Sequence, residues 1–118
     1  MDHRKDDWYY LAKIKADLAF VIAHTEGKTK SEMEADELLV DSIMFRIIQI
    51  AENNGRLSDA FKVRHKNVPW LAIKGMRNRI VHDYGYVDLT IVYDTVIHGI
   101  PEMLSVLNTI KKPTEDAE

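Results

Sequence analysis

The spacing of apolar residues along stretches without turn formers most constrains how this chain can fold. In the first stretch they recur at steps of three and four residues, at Leu11, Ile14, Leu18, Val21 and Ile22. That is the period of one face of an α-helix. The 118 residues include only five glycines and three prolines, so few positions favour a tight turn. The pattern predicts an all-α fold whose first helix covers residues 10–23, with Gly27 beyond its C-terminal end.

A second, longer helix is predicted from Ser31 to about Asn53. Ser31 and Glu34 have the spacing of a capping box, in which the two side chains accept backbone N–H bonds at the start of a helix. Apolar residues then form two neighbouring rows, one of Leu39, Ile43, Ile47 and Ile50 and one of Val40, Met44, Ile48 and Ala51. A helix with two apolar rows is buried on more than one side. The second side is covered either within the same chain or by a second copy of it.

The middle of the chain predicts a short helix and then a longer one. Asn53-Asn54-Gly55 is expected to end the preceding helix, and Ser58 can cap a short helix after it. Pro69 suits the first turn of the next helix, where a missing N–H costs nothing. From Trp70, expected to be a core anchor, apolar residues at helical spacing predict a helix that ends near residues 84–85.

The last helix is predicted to begin at a cap near Asp88 and to extend to about Ile110. Pro101 lies inside this run and should kink or break it near Gly99, because proline has no N–H and its ring crowds the preceding turn. The sum is an all-α, up-and-down four-helix bundle with an additional short helix.

The length of the chain predicts a single helical domain over residues 1–112 and a polar tail at 113–118. Cysteine is absent, so neither a disulfide nor a thiolate metal site is possible. The five histidines have no metal-ligand spacing, and no cofactor is predicted. No secretory leader and no membrane-spanning apolar run is recognisable, so the expected location is the cytoplasm, without membrane contact.

The charge of the chain is unevenly distributed. Its net charge is −3, yet residues 60–82 include six basic residues and no acidic one. This distribution indicates either a basic face for nucleic acid on an acidic body or simply a solvated helical surface. On the first interpretation, the candidates for contacts to an RNA backbone are Lys62, Arg64, Lys66, Lys74 and Arg79.

The densest polar cluster of the sequence includes Arg77, Asn78, His82 and Tyr84. Arg77 can present a planar fork of donors to a phosphate and stabilise charge that develops in a transition state. Histidine is the side chain whose ordinary pKa lies nearest neutrality, so His82 is a candidate for general acid–base catalysis, and Asn78 can orient the histidine or the phosphate. These groups suit cleavage of RNA without a metal, by attack of the ribose 2′-hydroxyl on the adjacent phosphate.

One helix face does not complete such a site. Arg77 and His82 are five residues apart, which on a continuous helix is roughly 140° around the axis. In the last turn of that helix, the dipole would favour the imidazolium form of His82. The histidine could equally do no more than satisfy terminal carbonyls there, with Tyr84 as a packing residue. The residues alone leave both interpretations open.

The ordered set of motifs resembles the HepT-like branch of the HEPN superfamily. The motifs are Arg46, Ile50, Glu52, Leu57-Ser58, Pro69-Trp70, Ile73, Gly75-Met76-Arg77-Asn78-Arg79, His82-x-Tyr84, Val87-Asp88 and Pro101-x-x-Leu104. The resemblance covers roughly residues 36–107. It implies an HEPN-like helical bundle that forms a homodimer, with the two Arg-x4-His sites facing a shared cleft.

The resemblance also implies an activity and a partner. Members of the HepT-like branch are metal-independent ribonucleases that act as the toxins of type VII-like toxin–antitoxin pairs. The antitoxin of such a pair is a minimal nucleotidyltransferase of the MntA-like type. That partner transfers AMP to the tyrosine of His-x-Tyr. Arg77 and His82 would then be the catalytic pair, Asn78 a supporting residue and Tyr84 the AMPylated residue.

Two other functions are compatible with the same residues. One is a non-catalytic helical subunit of a nucleotidyltransferase complex, in which the cluster binds nucleotide or the partner surface. The other is a purely structural dimerisation bundle. Loss of toxicity on substitution of Arg77 would distinguish the enzyme from both.

Overall fold

The computed structural model describes residues 5–81 and 87–113, and within these ranges the chain is all-α, as predicted. The helices are α1 (Asp7–Thr25), α2 (Lys30–Ala35), α3 (Glu37–Arg56), α4 (Asp59–Arg64), α5 (Trp70–Ile80), α6 (Leu89–Asp94) and α7 (Ile100–Leu107). A π-helical turn, Thr95–Gly99, joins the last two helices into one rod. No helix in these ranges is long and apolar enough to cross a membrane. The predicted domain limit at residue 112 stays a prediction, because residues 114–118 lie outside the described ranges.

Contacts at the helix ends show that the bundle is up-and-down, as predicted. The Asp7 carboxylate, at the start of α1, accepts from the backbone N–H of Ser58, just after α3, at 2.7 Å. Asn54, near the end of α3, donates to the Trp70 carbonyl at the start of α5 at 3.3 Å. The Tyr93 hydroxyl of α6 donates to the Lys28 carbonyl, just after α1, at 3.4 Å. Neighbouring rods are therefore antiparallel.

The core is formed by aliphatic side chains from α1, α3, α5 and the rod of α6 and α7. Fully buried examples are Ile14 and Leu18 of α1, Ile43 and Ile47 of α3, Ile73 and Ile80 of α5, and Ile100 and Leu107 of α7. Burying one such side chain stabilises the fold by about 1.5–3 kcal/mol. Because α5 contributes to this core from both of its ends, the side chains between its buried positions are presented from a fixed backbone.

Helix α1 is longer than predicted at both ends. The Asp6 carboxylate accepts from the N–H of Tyr9 at 3.0 Å, and this cap starts the helix at Asp7. The helix ends at Thr25, and Gly27 follows with φ of +78°, a conformation that glycine adopts without steric cost. The predicted role of Gly27 is confirmed.

The helix predicted from Ser31 is in fact two helices. The Thr29 hydroxyl caps α2 by accepting from the N–H of Glu32 at 3.1 Å, and the Glu32 carboxylate accepts from the N–H of Thr29 at 2.9 Å. The prediction of Ser31 and Glu34 as the capping box was wrong by two residues. The backbone bond from Thr29 is the main reason that the pKa of the Glu32 carboxyl is lowered. Helix α3 has its own cap, Asp36, whose carboxylate accepts from a backbone N–H at 3.0 Å.

Helix α3 continues through the segment that was predicted to end it. Asn53 and Asn54 are only 4% and 1% exposed, and the helix ends at Arg56. Asn54 bonds to α5, while Asn53 accepts from Arg56 at 3.1 Å. These tertiary and local bonds outweigh the low helix propensity of asparagine and glycine. The short helix predicted after Ser58 is confirmed as α4, since the Ser58 hydroxyl accepts from the N–H of Phe61 at 3.1 Å.

The interruption predicted before Pro101 is confirmed as a π-helical turn. Asp88 caps α6 as predicted, accepting from the N–H of Thr90 at 3.0 Å. The turn at Thr95–Gly99 then widens the helix immediately before Ile100 and Pro101. A wider turn accommodates a residue that cannot donate to the helix ladder and whose ring crowds the preceding carbonyl. The rod is therefore disturbed at this point without being broken.

Candidate active site at the C-terminal end of α5

Helix α5 is anchored by buried residues along its whole length, namely Trp70, Ile73, Met76 and Ile80. The Trp70 indole donates to the carbonyls of Lys62 at 3.2 Å and His65 at 3.0 Å, which ties the start of α5 to α4. The predicted role of Trp70 as a core anchor is confirmed.

Three consecutive residues of the last turn, Arg77, Asn78 and Arg79, are exposed between buried Met76 and Ile80. The Arg77 guanidinium donates to the Asn78 side-chain oxygen at 3.2 Å. Neither arginine forms an ion pair with a residue in the described ranges. Most of the guanidinium donors are therefore directed to solvent, where they can bind an anionic ligand such as a phosphate. Within residues 5–81 and 87–113, no group of histidine and acidic side chains is arranged to hold a metal ion.

The helix ends at Ile80, earlier than the predicted end near residues 84–85. Val81 is extended, with φ −95° and ψ 118°, and forms an antiparallel bridge with Val87. The N–H of Asp88 donates to the Ile80 carbonyl at 3.0 Å. The prediction was wrong because a β-branched valine that pairs across to another valine favours the extended conformation over a further helical turn.

Two predicted site residues, His82 and Tyr84, belong to residues 82–86, which lie outside the described ranges. The described residues on either side of this segment, Val81 and Val87, are adjacent to each other at the end of α5. Helix α5 ends at Ile80, two residues before His82. The 140° separation and the helix-dipole argument both assumed a continuous helix, and neither applies.

The predicted basic face is divided along α5. Lys74 is exposed one turn before Asn78, whereas Lys62 and Arg64 belong to α4 and Lys66 follows it. Helix α4 is bonded to the start of α5, and seven residues at 1.5 Å per residue separate that start from position 77, about 10 Å along the axis. The structure thus places Lys74 beside the exposed turn of residues 77–79. The other three candidates for RNA contacts, Lys62, Arg64 and Lys66, lie at the opposite end of α5.

Arg46, one of the residues that carry the family resemblance, stabilises the packing of α3 against α1. Its guanidinium donates to the Asp17 carboxylate at 2.7 Å and lies 3.7 Å from the centre of the Phe20 ring. These contacts join α3 to α1. Arg46 is therefore part of the packing of the bundle, away from the exposed turn of α5.

A groove of about 460 Å³ separates α5 from the rod that contains the π-helical turn. Its lining includes Ala72, Met76 and Arg79 on one side and Thr95, Glu102 and Met103 on the other. Sequence reasoning did not identify this groove. Pro101 indicated a disturbed helix, but no local pattern indicates that the disturbance faces α5 across an open space.

Comparison with known proteins identifies the family. Residues 14–110 match the family model described as "Ribonuclease HepT-like". The chain belongs to the HepT-like ribonuclease family. The predicted family is thus confirmed, and it is a family of enzymes that act on RNA.

Relatives of this HepT-like chain come from bacteria and archaea. It is 30% identical to "Putative RNase TTE0752" of Caldanaerobacter subterraneus subsp. tengcongensis, over 80% of this chain and 84% of the relative. It is 27% identical to "Probable ribonuclease HepT" of Thermococcus cleftensis, over 81% of this chain and 91% of the relative. A third relative, "Gamma-glutamylcyclotransferase and putative RNase MJ0434" of Methanocaldococcus jannaschii, is 27% identical over 92% of this chain, which spans only 51% of that longer protein. No solved structure matches the chain.

Proposed function

We propose that this HepT-like protein is a metal-independent RNA endonuclease with Arg77 and His82 as its catalytic pair and Asn78 as a supporting residue. The observation that carries the proposal is the position of Arg77. It is exposed and without an ionic partner in the described ranges, on a helix turn fixed by buried Met76 and Ile80. The helix that carries this turn ends at Ile80, two residues before His82. We place the enzyme in the cytoplasm, where it would meet its RNA substrate.

The proposed reaction uses no group beyond the RNA and these side chains. His82 removes the proton of the ribose 2′-hydroxyl, the 2′-oxygen attacks phosphorus, and the bond to the 5′-oxygen breaks. The leaving 5′-oxygen takes up a proton, and the products are a 2′,3′-cyclic phosphate and a 5′-hydroxyl. Arg77 stabilises the extra negative charge of the pentacovalent transition state. Lys74 binds a neighbouring phosphate, Arg79 contacts the RNA strand beside it, and Lys62, Arg64 and Lys66 bind phosphates farther along the strand.

Cleavage of RNA by the purified protein in EDTA tests this proposal. We expect the wild-type protein to cleave and His82→Ala to be at least about 100-fold slower, because a general acid–base group typically contributes 10²- to 10⁴-fold. His98→Ala, which removes an exposed histidine of the π-helical turn, is the matched control and should cleave at the wild-type rate. Equal rates for His82→Ala and wild type would exclude His82 as a catalytic residue, and loss of wild-type cleavage in EDTA would exclude metal independence.

We further propose that the enzyme is a homodimer joined through the outer side of α3. Leu38, Phe45 and Ile48 on this helix are 78%, 56% and 37% exposed, which is unusual for large apolar side chains. The row of α3 that includes Ile43 and Ile47 is buried within the chain, and a second copy would cover the exposed side chains on the other side of the helix. A dimer would let residues of two chains converge on one phosphate.

Replacing a central residue of that surface tests the dimer. Phe45→Asp should shift the protein to the mass of a monomer in light scattering, because a charge would have to be buried at the interface. Val63→Asp is the control, since Val63 is also exposed, at 71%, but belongs to α4. Identical masses for the two variants would argue against an interface on α3.

We also propose that the protein is the toxin of a toxin–antitoxin pair and is neutralised at Tyr84. The partner, an MntA-like minimal nucleotidyltransferase, would join the α-phosphorus of ATP to the Tyr84 phenolic oxygen, with release of pyrophosphate and the phenolic proton. An AMP group in the segment next to Arg77 would block access of RNA by bulk and negative charge. Family membership supports this proposal, as does the short distance along the chain from Tyr84 to Arg77.

Mass spectrometry after incubation with the partner and ATP tests the modification site. We expect AMP additions on wild type and on Tyr86→Phe, and none on Tyr84→Phe. Additions found only on Tyr86 would contradict the assignment of Tyr84. The competing function, a non-catalytic subunit of the nucleotidyltransferase complex, predicts that neither Arg77→Ala nor His82→Ala changes the toxicity of the protein.

A further inference from the structure

The groove between α5 and the rod of α6 and α7 has the properties of a ligand site. Its volume of about 460 Å³ lies within the range of about 300–1,000 Å³ that is usual for small-ligand pockets. Ala72, Met76 and Met103 give it apolar walls, and the two methionines are nearly buried. Methionine sulfur packs favourably against aromatic rings, so these walls suit a flat aromatic ligand.

A buried hydroxyl in this groove has no partner. Thr95 is 3% exposed, lines the groove, and its Oγ1 atom makes no hydrogen bond. Thr25, the other buried threonine of the described helices, donates instead to the Val21 carbonyl four residues earlier, at 2.7 Å. An unpaired buried hydroxyl destabilises a folded protein, so each one calls for a structural explanation. Asn54 Oδ1 and His65 Nε2 are also buried without a partner, but only Thr95 lines the groove. The absent partner of Thr95 points to a ligand that supplies it.

Charged groups at the edge of the groove define what the ligand must offer. Arg79 lies on one side, with Asp94 and Glu102 on the other, and no ion pair joins them. The carboxylates need hydrogen-bond donors, and the guanidinium needs acceptors. Guanine has both: its N1–H and amino groups are donors, and its O6 and N7 atoms are the pair that arginine binds in a bidentate manner. Adenine, cytosine and uracil match only part of this set.

We propose that the groove binds a guanine base. Its flat faces lie against the apolar walls of the groove, the carboxylates accept from its N1–H and amino groups, Arg79 donates to O6 and N7, and Thr95 completes the set of hydrogen bonds. The inference rests on the proposed function for the origin of the base. Arg77 and Arg79 lie about 160° apart around the axis of α5, so an RNA strand with a phosphate at Arg77 reaches the groove by passing around the last turn of the helix.

Binding of the four nucleoside monophosphates to the purified protein, measured by calorimetry, tests the base preference. We expect GMP to bind at least about tenfold more tightly than AMP, CMP or UMP, because the other bases form only part of the hydrogen bonds that guanine forms with these groups. Equal affinities for all four, tighter binding of another base, or no binding of GMP would each overturn the proposal.

Two threonine variants separate a ligand group from a packing residue. Thr95→Val retains the shape of the side chain and should weaken GMP binding about tenfold without lowering the melting temperature, because it removes a hydroxyl that has no partner. Thr25→Val should lower the melting temperature and leave GMP affinity unchanged, because its hydroxyl is bonded within α1. Unchanged GMP affinity in Thr95→Val would overturn the assignment.

Mapping of RNA cleavage sites distinguishes a guanine of RNA from a free guanine nucleotide. We expect wild type to cleave beside guanines and Thr95→Val to lose that preference. GMP binding without any guanine preference in cleavage would assign the groove to free nucleotides and overturn its role toward RNA. His82→Ala should retain GMP binding while it loses cleavage, so a failure of the proposed nuclease activity remains separable from a failure of the groove.

Discussion

Arg46 of α3 and Arg77 of α5 differ in how the fold uses them. Arg46 is bonded to Asp17 at 2.7 Å and stacked on Phe20, so its donors and its flat face are both occupied. Arg77 contacts the side chain of its neighbour Asn78 at 3.2 Å and is otherwise exposed. The first arginine stabilises the packing of two helices. The second is held on a fixed turn with its donors open, which is what recognition of a phosphate requires.

Substitution of Arg77 should give the largest effect and should affect activity alone. We expect Arg77→Ala to cleave RNA about 10²- to 10³-fold more slowly, as is typical when one donor to a transition-state charge is removed. Its free energy of unfolding in urea should stay within about 0.5 kcal/mol of wild type, because an exposed side chain is removed. Arg77→Lys should recover only part of the rate, since lysine keeps the charge and loses the bidentate fork. If Arg77→Ala cleaved RNA at the wild-type rate, Arg77 would have no catalytic role to set it apart from Arg46.

Substitution of Arg46 should give the converse result. Arg46→Ala leaves the Asp17 carboxylate, whose side chain is 7% exposed, without its partner, and removes the contact with Phe20. We expect a loss of about 2–3 kcal/mol in the free energy of unfolding, measured in urea, and a cleavage rate close to wild type where the variant is folded. Adding Asp17→Asn should recover part of the lost stability, because no unpaired buried charge then remains. A double variant no more stable than Arg46→Ala would show that packing, and not charge, dominates at this contact.

The smallest effect, on the melting temperature, is expected from substitution of Glu32, a charged residue that is held only by local hydrogen bonds. Bonds from Thr29 lower the pKa of the Glu32 carboxyl, so its ionised form stabilises the folded state. This contribution is complete above the unfolded-state pKa, near the ordinary value of 4.5, and is lost as the pH falls through the lower folded-state pKa. Glu32→Gln should therefore lower the melting temperature slightly at neutral pH, and the difference from wild type should shrink as the pH falls below about 4.5. The surface charge Glu37→Gln serves as the control; a difference that grows on acidification would contradict the assigned sign.

Much of the fold could be predicted from local chemistry. The position of Gly27, the cap at Ser58, the anchor at Trp70, the cap at Asp88 and the interruption before Pro101 all depend on a few neighbouring residues, and all are confirmed. The family resemblance likewise depends on an ordered set of side chains and is confirmed by the family match.

The error at the start of α2 arose where two local patterns competed. Thr29 with Glu32 and Ser31 with Glu34 are overlapping capping boxes of the same type, and the sequence does not rank them. In the structure the first of them forms, and it starts a separate short helix that places Met33 in the core, 1% exposed. Packing of one side chain thus decided between two caps of similar intrinsic strength.

The candidate site was predicted in part. Arg77, Asn78 and Lys74 were identified from residue types, and the structure places them together on exposed turns of α5. The catalytic role of His82 and the modification of Tyr84 stay predictions, because both residues lie outside the described ranges. Thr95 was missed, because its unpaired hydroxyl and the groove beside it exist only where two separate helices meet.

By itself, the sequence determined the helical class, the caps at Ser58 and Asp88, and the family, because these follow from periodicity, side-chain chemistry and motif order along the chain. The tertiary structure decided where α5 ends, which basic residues share its last turn, and which arginine is paired. Those outcomes depend on contacts between residues distant in sequence, such as Val81 with Val87 and Arg46 with Asp17. The free energy of such contacts is gained only when the helices pack, so no local pattern reports it.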